Sequence, residues 1–89
     1  MFFVYVLYNK KRDKIYTGHT QNLETRIQRH NGLLPQKAKS YTSKNKGFWN
    51  LIYSEEFETR SEAIQREKSL KSCQGRKFIR ENIISSLDR

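Results

Sequence analysis

The sequence predicts an α+β fold, a small three-stranded antiparallel sheet flanked by helices in the order β-β-α-β-α-α. Three features carry that reading. An unbroken apolar and aromatic run from Phe2 to Tyr8 is followed at once by a turn cluster and a second β-prone stretch. Leu23 and Ile27 stand at helical spacing, and Thr59-Arg60-Ser61-Glu62 matches a capping box.

Phe2 to Tyr8 has no helical period and reads as a buried strand. Asn9-Lys10-Lys11-Arg12-Asp13 is the turn, and Lys14 to His19 the second strand, with Ile15-Tyr16-Thr17 stopped by Gly18. With a loop of Asn9 to Arg12, Tyr5 is expected opposite Tyr16. Thr20, Gln21 or Asn22 caps a helix that runs to about Asn31 and ends at Gly32, with Arg26 and His30 sharing one face. Leu33 to Gly47 loses all periodicity and carries Lys37, Lys39, Lys44 and Lys46 around Tyr41 without an acid, which reads as a basic loop. Phe48 to Ser54 is expected as the third strand, with Trp49, Leu51 and Tyr53 on one face and Phe48 and Ile52 on the other. The helix opened by Thr59 runs to about Ser72, Gly75 is its expected stop, and a last helix covers Arg76 to Leu87 with Phe78, Ile79, Ile83 and Leu87 inward.

With 89 residues the chain fits one domain. At this size a fold buries only about 60–65% of the surface its unfolded chain exposes, which leaves room for one modest core. No apolar run approaches the roughly 18–20 residues that cross a bilayer, and Met1 to Tyr8 has neither a basic leader nor a small-residue cleavage site, so no membrane association is expected and the location is expected to be cytoplasmic. The single cysteine, Cys73, has no internal disulfide partner, and two separated histidines make no zinc-type cluster. Eighteen Lys and Arg against nine Asp and Glu give a net charge of +9, which favours polyanionic partners, nucleic acid first; an acidic protein or lipid is the other reading.

Glu67 falls between Ala63, Ile64 and Leu70 on the inward side of its helix. A carboxylate there needs a metal, an arginine such as Arg26, or several donors, because burying an isolated charge is too costly. The other acids do not converge on it: Glu55, Glu56 and Glu58 crowd a strand end as a solvated patch, and Asp13, Glu24 and Glu62 fit turn, helix surface and cap. A two-metal centre, which needs several acids around ions about 4 Å apart, is disfavoured. One acid suits one ion of the magnesium kind, which keeps several waters and takes one or two carboxylates with phosphate oxygens.

Phe3-Val4-Tyr5, Tyr16-Thr17-Gly18, Asn22-Leu23-Glu24-Thr25-Arg26-Ile27, His30-Asn31 and the stretch from Glu62 to Lys71 together resemble the GIY-YIG endonuclease superfamily over nearly the whole chain. The resemblance is nearest to small, stand-alone bacterial members related to the nuclease module of the excision-repair incision subunit. Phe3 and Thr17 depart from the name motif, at positions that look like scaffold. The resemblance implies a metal-dependent endonuclease acting on nucleic acid, DNA in the first place, with a role in DNA repair or processing. Carried over by position, Glu67 binds a single Mg²⁺ (or Mn²⁺), Arg26 stabilises charge on the phosphate, Tyr16 accepts a proton from the attacking water, and Tyr5 positions the nucleophile. His19 and His30 are candidate helpers, His30 with the catalytic group and His19 with Lys37, Lys39, Lys44, Lys46 and Lys71 on the nucleic acid. Lys10, Lys11, Arg12, Arg76, Lys77 and Arg80 add sequence-independent phosphate contacts. Nothing resembles a reader of base edges, so binding is expected to follow structure more than sequence. The alternative is a non-catalytic nucleic-acid-binding module that acts through a protein partner, as a monomer or weak dimer.

Overall fold

The computed structural model describes residues 1–31 and 48–87. The basic stretch holding Lys37, Lys39, Lys44 and Lys46 lies outside them. Strands β1 (Phe2–Asn9), β2 (Lys14–Thr20) and β3 (Asn50–Phe57) form an antiparallel sheet in the order β2-β1-β3, so the apolar N-terminal run is the central strand. Helix α1 (Leu23–His30) follows β2, and α2 (Arg60–Lys71) follows β3. The last helix, α3, begins as Cys73–Phe78, continues as a π-helical stretch over Ile79–Ile84 and closes with Ser85–Leu87. The architecture is the α+β sandwich that the sequence predicts, in the predicted order.

Pleat alternation splits the core by face. Val4 and Val6 point to the side covered by α2 and α3 and pack with Ala63, Leu70, Ile79 and Ile84. Tyr5 and Leu7 point to the other side, against Trp49 and, from α1, Leu23 and Ile27.

The β1–β2 turn has the expected length but lies one residue further along the chain, over residues 10–13. The side chain of buried Asn9 accepts the Arg12 N–H at 3.1 Å, and Asp13 closes the turn in the left-handed region at φ 52°. Lys14 then pairs with Asn9, Tyr16 with Leu7, and Gly18, not Tyr16, with Tyr5. The displacement is by an even number of residues, so each side chain keeps its face. Gly18 does not stop the strand, which continues to Thr20.

The expected alternation of β3 also fails at one point. Val6 pairs with Tyr53 and Leu7 with Leu51, so Ile52 is an extra, bulged residue that turns Tyr53 to the face opposite Trp49. Glu55 is not part of a solvated patch. It accepts two bonds from Arg66 Nε at 3.0 and 3.2 Å and one from the Tyr53 hydroxyl at 2.5 Å.

Gly75 is not a stop but a point of helix contact. The break falls at Ser72, which is extended (φ −67°, ψ 167°); its hydroxyl donates to the Ser69 carbonyl at 2.6 Å and accepts the Gly75 N–H at 3.1 Å, ending α2 and capping α3 together. Over the π-helical stretch residues five apart share a face, so the buried positions of α3 are Ile79 and Ile84, while Phe78 and Leu87 are exposed. A Cβ on Gly75 would stand 2.2 Å from the Ser69 oxygen and 2.5 Å from Leu70 Cα, both backbone atoms with no rotamer to yield. Helix propensity alone would favour alanine there by about 1 kcal/mol, but the clash outweighs it. Gly75→Ala is expected to lower stability by at least about 2 kcal/mol in urea unfolding. A wild-type midpoint in that variant would mean that the two helices do not turn this tightly.

Candidate active site

The sequence-predicted residues assemble into two groups, one on each face of β2. On the α1 face, the Tyr5 ring is fully buried and its hydroxyl lies 3.0 Å from His30 Nε2 and 3.4 Å from Arg26 Nε. Arg26 and His30, four residues apart, reach the same phenol from successive turns of α1. The hydroxyl is satisfied both as acceptor and as donor if it accepts the Arg26 N–H and donates to His30 Nε2, which places the imidazole proton on Nδ1. Tyr16 joins the cluster with its ring centroid 6.2 Å from Tyr5 and 4.6 Å from His30.

Gly18 makes the crossing possible. A Cβ there would stand 2.8 Å from the Tyr5 hydroxyl oxygen and 3.0 Å from Tyr16 Cε1, so the residue facing Tyr5 across the strands has no room for a side chain. This gives the Tyr-x-Gly pattern a steric reason that its spacing alone does not convey.

Electrostatics follow from the burial. Desolvation raises the Tyr5 phenol above the ordinary tyrosine range, against the opposing hydrogen bond from Arg26. Desolvation lowers His30 to about 4, assisted by the charges of Arg26 and Arg29, so the imidazole is neutral at pH 7. Arg26 is held protonated more firmly than usual by its bond to Tyr5, against partial desolvation, and by the fields of Tyr5 and Tyr16.

The second group lies on the α2 face. Ala63 and Leu70, seven residues apart, point α2 into the sheet, which leaves Arg66 on one flank and Glu67 on the other. Arg66 takes Glu55 on β3, and Glu67 is turned to the β2 side. There its Oε1 meets His19 Nδ1 and its Oε2 lies 2.6 Å from Lys71 Nζ; these, not Arg26, are its partners. Burial raises the Glu67 carboxyl, but the Lys71 and His19 contacts outweigh it and leave the group below the usual carboxylate range. Among the described residues no three His, Cys, Asp or Glu side chains converge on a metal position.

The groups face opposite sides of the sheet but meet at its edge, since β2 is an outer strand. Two clefts flank that edge. One, of about 490 Å³, is lined by Lys14, Ile15, Tyr16, Thr17, Lys71, Arg76 and Arg80. The other, of about 440 Å³, holds His19, Arg26 and Arg60 beside Phe2 and the segment Thr20 to Asn22. Tyr16 thus shares a cleft with Lys71, and Arg26 shares one with His19.

Sequence reasoning missed three supports of the site. The Asn31 side chain donates to the Trp49 carbonyl at 3.0 Å and accepts the Trp49 N–H at 2.7 Å, fastening the end of α1 to the start of β3. Arg66 fixes the rotation of α2 through Glu55, and Arg80 binds Asp13 at 2.9 Å, fastening α3 to the hairpin turn. Asn31 left a trace as part of the His30-Asn31 pair and Arg66 as the neighbour of Glu67 downstream of an acidic strand end, whereas the tie of Arg80 to Asp13 left none.

The His30 environment sets a pH dependence. An unfolded imidazole titrates near 6.5 and the folded one at about 4, so between those values the unfolded chain binds more protons and stability falls as pH falls. Full stabilisation is present above pH 6.5. Urea unfolding of wild type and His30→Gln at pH 7.5 and pH 5 should show the wild type losing more stability on acidification than the variant. Equal losses would mean that His30 titrates as a solvated imidazole does.

The sequence has counterparts among known proteins. The family model described as the GIY-YIG catalytic domain matches residues 1–80, a span that includes Tyr5, Tyr16, Arg26, His30 and Glu67. A UPF0213 protein of Clostridium perfringens is 42% identical over 71 residues, covering 80% of this chain and 71% of its own. UPF0213 proteins of Staphylococcus aureus and Staphylococcus haemolyticus are each 37% identical, the first over 79 residues (88% of this chain, 89% of the relative) and the second over 70 (79% of each). No solved structure matches. A tyrosine pair stacked across a glycine, an arginine one helix on and a glutamate brought to the same strand edge agree with the match over those residues, and the chain belongs to the GIY-YIG catalytic domain family.

Proposed function

We propose that this protein is a metal-dependent endonuclease that hydrolyses phosphodiester bonds of nucleic acid, with DNA as the expected substrate and a place in DNA repair or processing. The observation that carries the reading is that Tyr16 shares one basic cleft with Lys71 and Arg26 shares the other with His19, Lys71 and His19 being the two partners of Glu67. A net charge of +9 supplies the attraction for a polyanion. Among the described residues no helix is long and apolar enough to cross a membrane.

Glu67 fits a single hard divalent ion. It is one carboxylate with side-chain exposure of 16%, held ionised, and an ion such as Mg²⁺ takes one or two carboxylates and completes its shell with water and phosphate oxygens. Bound there, Mg²⁺ or Mn²⁺ would act as a Lewis acid on the phosphate and stabilise the leaving oxygen. Arg26 is the fixed cation for the phosphate. Its Nε is engaged by Tyr5, which aims the remaining fork of the guanidinium, and its charge does not depend on pH in the working range.

Tyr16 lines the cleft and is the tyrosine within reach of an attacking water. The water oxygen forms the new bond to phosphorus, the bond from phosphorus to the leaving oxygen breaks, and the proton of the water passes to the Tyr16 oxygen as the phenol relays its own proton, through solvent in the open cleft, to the leaving oxygen. Tyr5, with no exposed surface, touches neither water nor substrate directly. It acts through Arg26 and Tyr16, and His30, neutral and bonded to the Tyr5 hydroxyl, acts as a positioning residue.

The test is cleavage of labelled single-stranded, duplex and branched DNA and of RNA in Mg²⁺ or EDTA. Wild type should cut at least one substrate in a metal-dependent way, Glu67→Ala should abolish cutting, and Tyr16→Phe and Arg26→Ala should each slow it by about 10²–10³-fold. Binding in EDTA should survive in Glu67→Ala and Tyr16→Phe. Binding without cutting on every substrate, unchanged by these substitutions, would replace the enzyme with a non-catalytic module acting through a partner.

A further inference from the structure

Lys71 belongs to both halves of the site. Its ammonium lies 2.6 Å from Glu67 Oε2 while His19 takes Oε1, so both oxygens of the expected ion ligand are engaged by side chains. The same lysine lines the 490 Å³ cleft with Lys14, Tyr16, Arg76 and Arg80. That cleft has four basic residues on its wall and no acid. Arg80 is tethered to Asp13, whose carboxylate also feels the charge of Lys14, while Arg76 makes no ion pair among the described residues. It is a site for an anion, and on a nucleic acid the anion is a backbone phosphate.

A divalent ion on Glu67 and an ammonium on the same carboxylate repel each other across a few ångströms. The Lys71 side chain is 52% exposed, on a four-carbon stem at the last turn of α2, and can turn from the carboxylate into the cleft without disturbing the core. We infer that Lys71 is a coupling residue: a phosphate flanking the scissile one occupies the cleft, draws Lys71 away from Glu67, and opens the carboxylate to the divalent ion. Substrate and ion therefore bind cooperatively, and each strengthens the other by the same factor. This rests on the reading of Glu67 as the ion's ligand.

The experiment measures Mn²⁺ affinity by titration calorimetry, alone and with a short phosphorothioate DNA strand that resists cleavage. Lys71→Met should bind Mn²⁺ alone at least about 3-fold more tightly than wild type, and Lys71→Arg, which keeps the charge, should stay near wild type. The strand should tighten Mn²⁺ binding to wild type by a factor at least about 3-fold larger than in Lys71→Met, which keeps only the gain from phosphate oxygens on the ion. Arg76→Ala, which makes no ion pair with Glu67, should change the affinity for Mn²⁺ alone less than Lys71→Met does and should weaken the strand's effect. Anisotropy of a labelled strand with and without Mn²⁺ should return the same coupling factor. If Lys71→Met binds Mn²⁺ no more tightly than wild type, or the strand helps both equally, the coupling is wrong while Glu67 remains the ligand. If Glu67→Gln binds Mn²⁺ as wild type does, the ligand assignment itself falls and the coupling falls with it.

Discussion

A phenol hydroxyl buried at the centre of an 89-residue fold is the constraint around which the site is arranged. The Tyr5 oxygen has no access to water, so it must find partners inside the protein or cost the fold its desolvation. Arg26 and His30 supply them, which fixes the rotation and depth of α1 on the sheet. The same oxygen excludes a Cβ from Gly18, so β2 must present a glycine there, and that opening brings the Tyr16 ring over the cluster. Asn31 completes the arrangement by fastening the far end of α1 to Trp49, whose ring fills the same face of the core. One buried polar atom thus sets the place of a helix, a glycine, a second tyrosine and an arginine.

The opposite face is governed by the rotation of α2. Ala63 is small enough to let the helix lie close to Val4 and Val6, and Leu70 fills the space beyond it. With those two inward, Glu67 has no choice of direction except the β2 flank, and the Arg66 bonds to Glu55 resist any roll that would carry it away. Ser72 and Gly75 then fold α3 back so tightly that Arg76 and Arg80 arrive beside Lys71. A looser connection would leave those cations elsewhere on the surface. Packing on this face and the charge of the cleft are consequences of the same turn.

The sequence revealed the elements better than their joints. Element order, the α1 seam of Leu23 and Ile27, and the Thr59 cap are visible because they rest on local patterns; Thr59 does accept the Glu62 N–H at 3.2 Å. The inward setting of Glu67 was visible for the same reason. What stayed hidden is what depends on contact between segments. Gly75 looks like a helix stop in one dimension, and only the neighbouring backbone shows that it is a close approach. The Ile52 bulge is invisible because Trp49, Leu51 and Tyr53 alternate perfectly on paper. Of the partners of Glu67, His19 was hidden because it comes from another element, whereas Lys71 stands four residues on in the same helix, a spacing that the sequence does show; nothing in the spacing of Arg26 told that its Nε would bond to Tyr5.

Building a site from both faces of a sheet is possible only at an edge. Along β2, Tyr16 and Gly18 face α1 while Thr17 and His19 face α2, because successive residues alternate. On a central strand those two sets would be separated by the neighbouring strands, and no single phosphate could touch both. On an outer strand the backbone is thin enough for one ligand to reach around it. The arrangement then depends on register more than on the core, since a slip by one residue would exchange the faces and send Tyr16 toward α2 and His19 toward α1. The hairpin turn therefore governs the placing of these side chains from a distance: Asn9 receives Arg12, Asp13 takes its left-handed conformation, and both Tyr8 and Arg80 bond to the Asp13 carboxylate. Arg80 is at once a wall of the basic cleft and the tie that holds the turn, so the register of the strand and the charge beside Tyr16 are secured by the same contact.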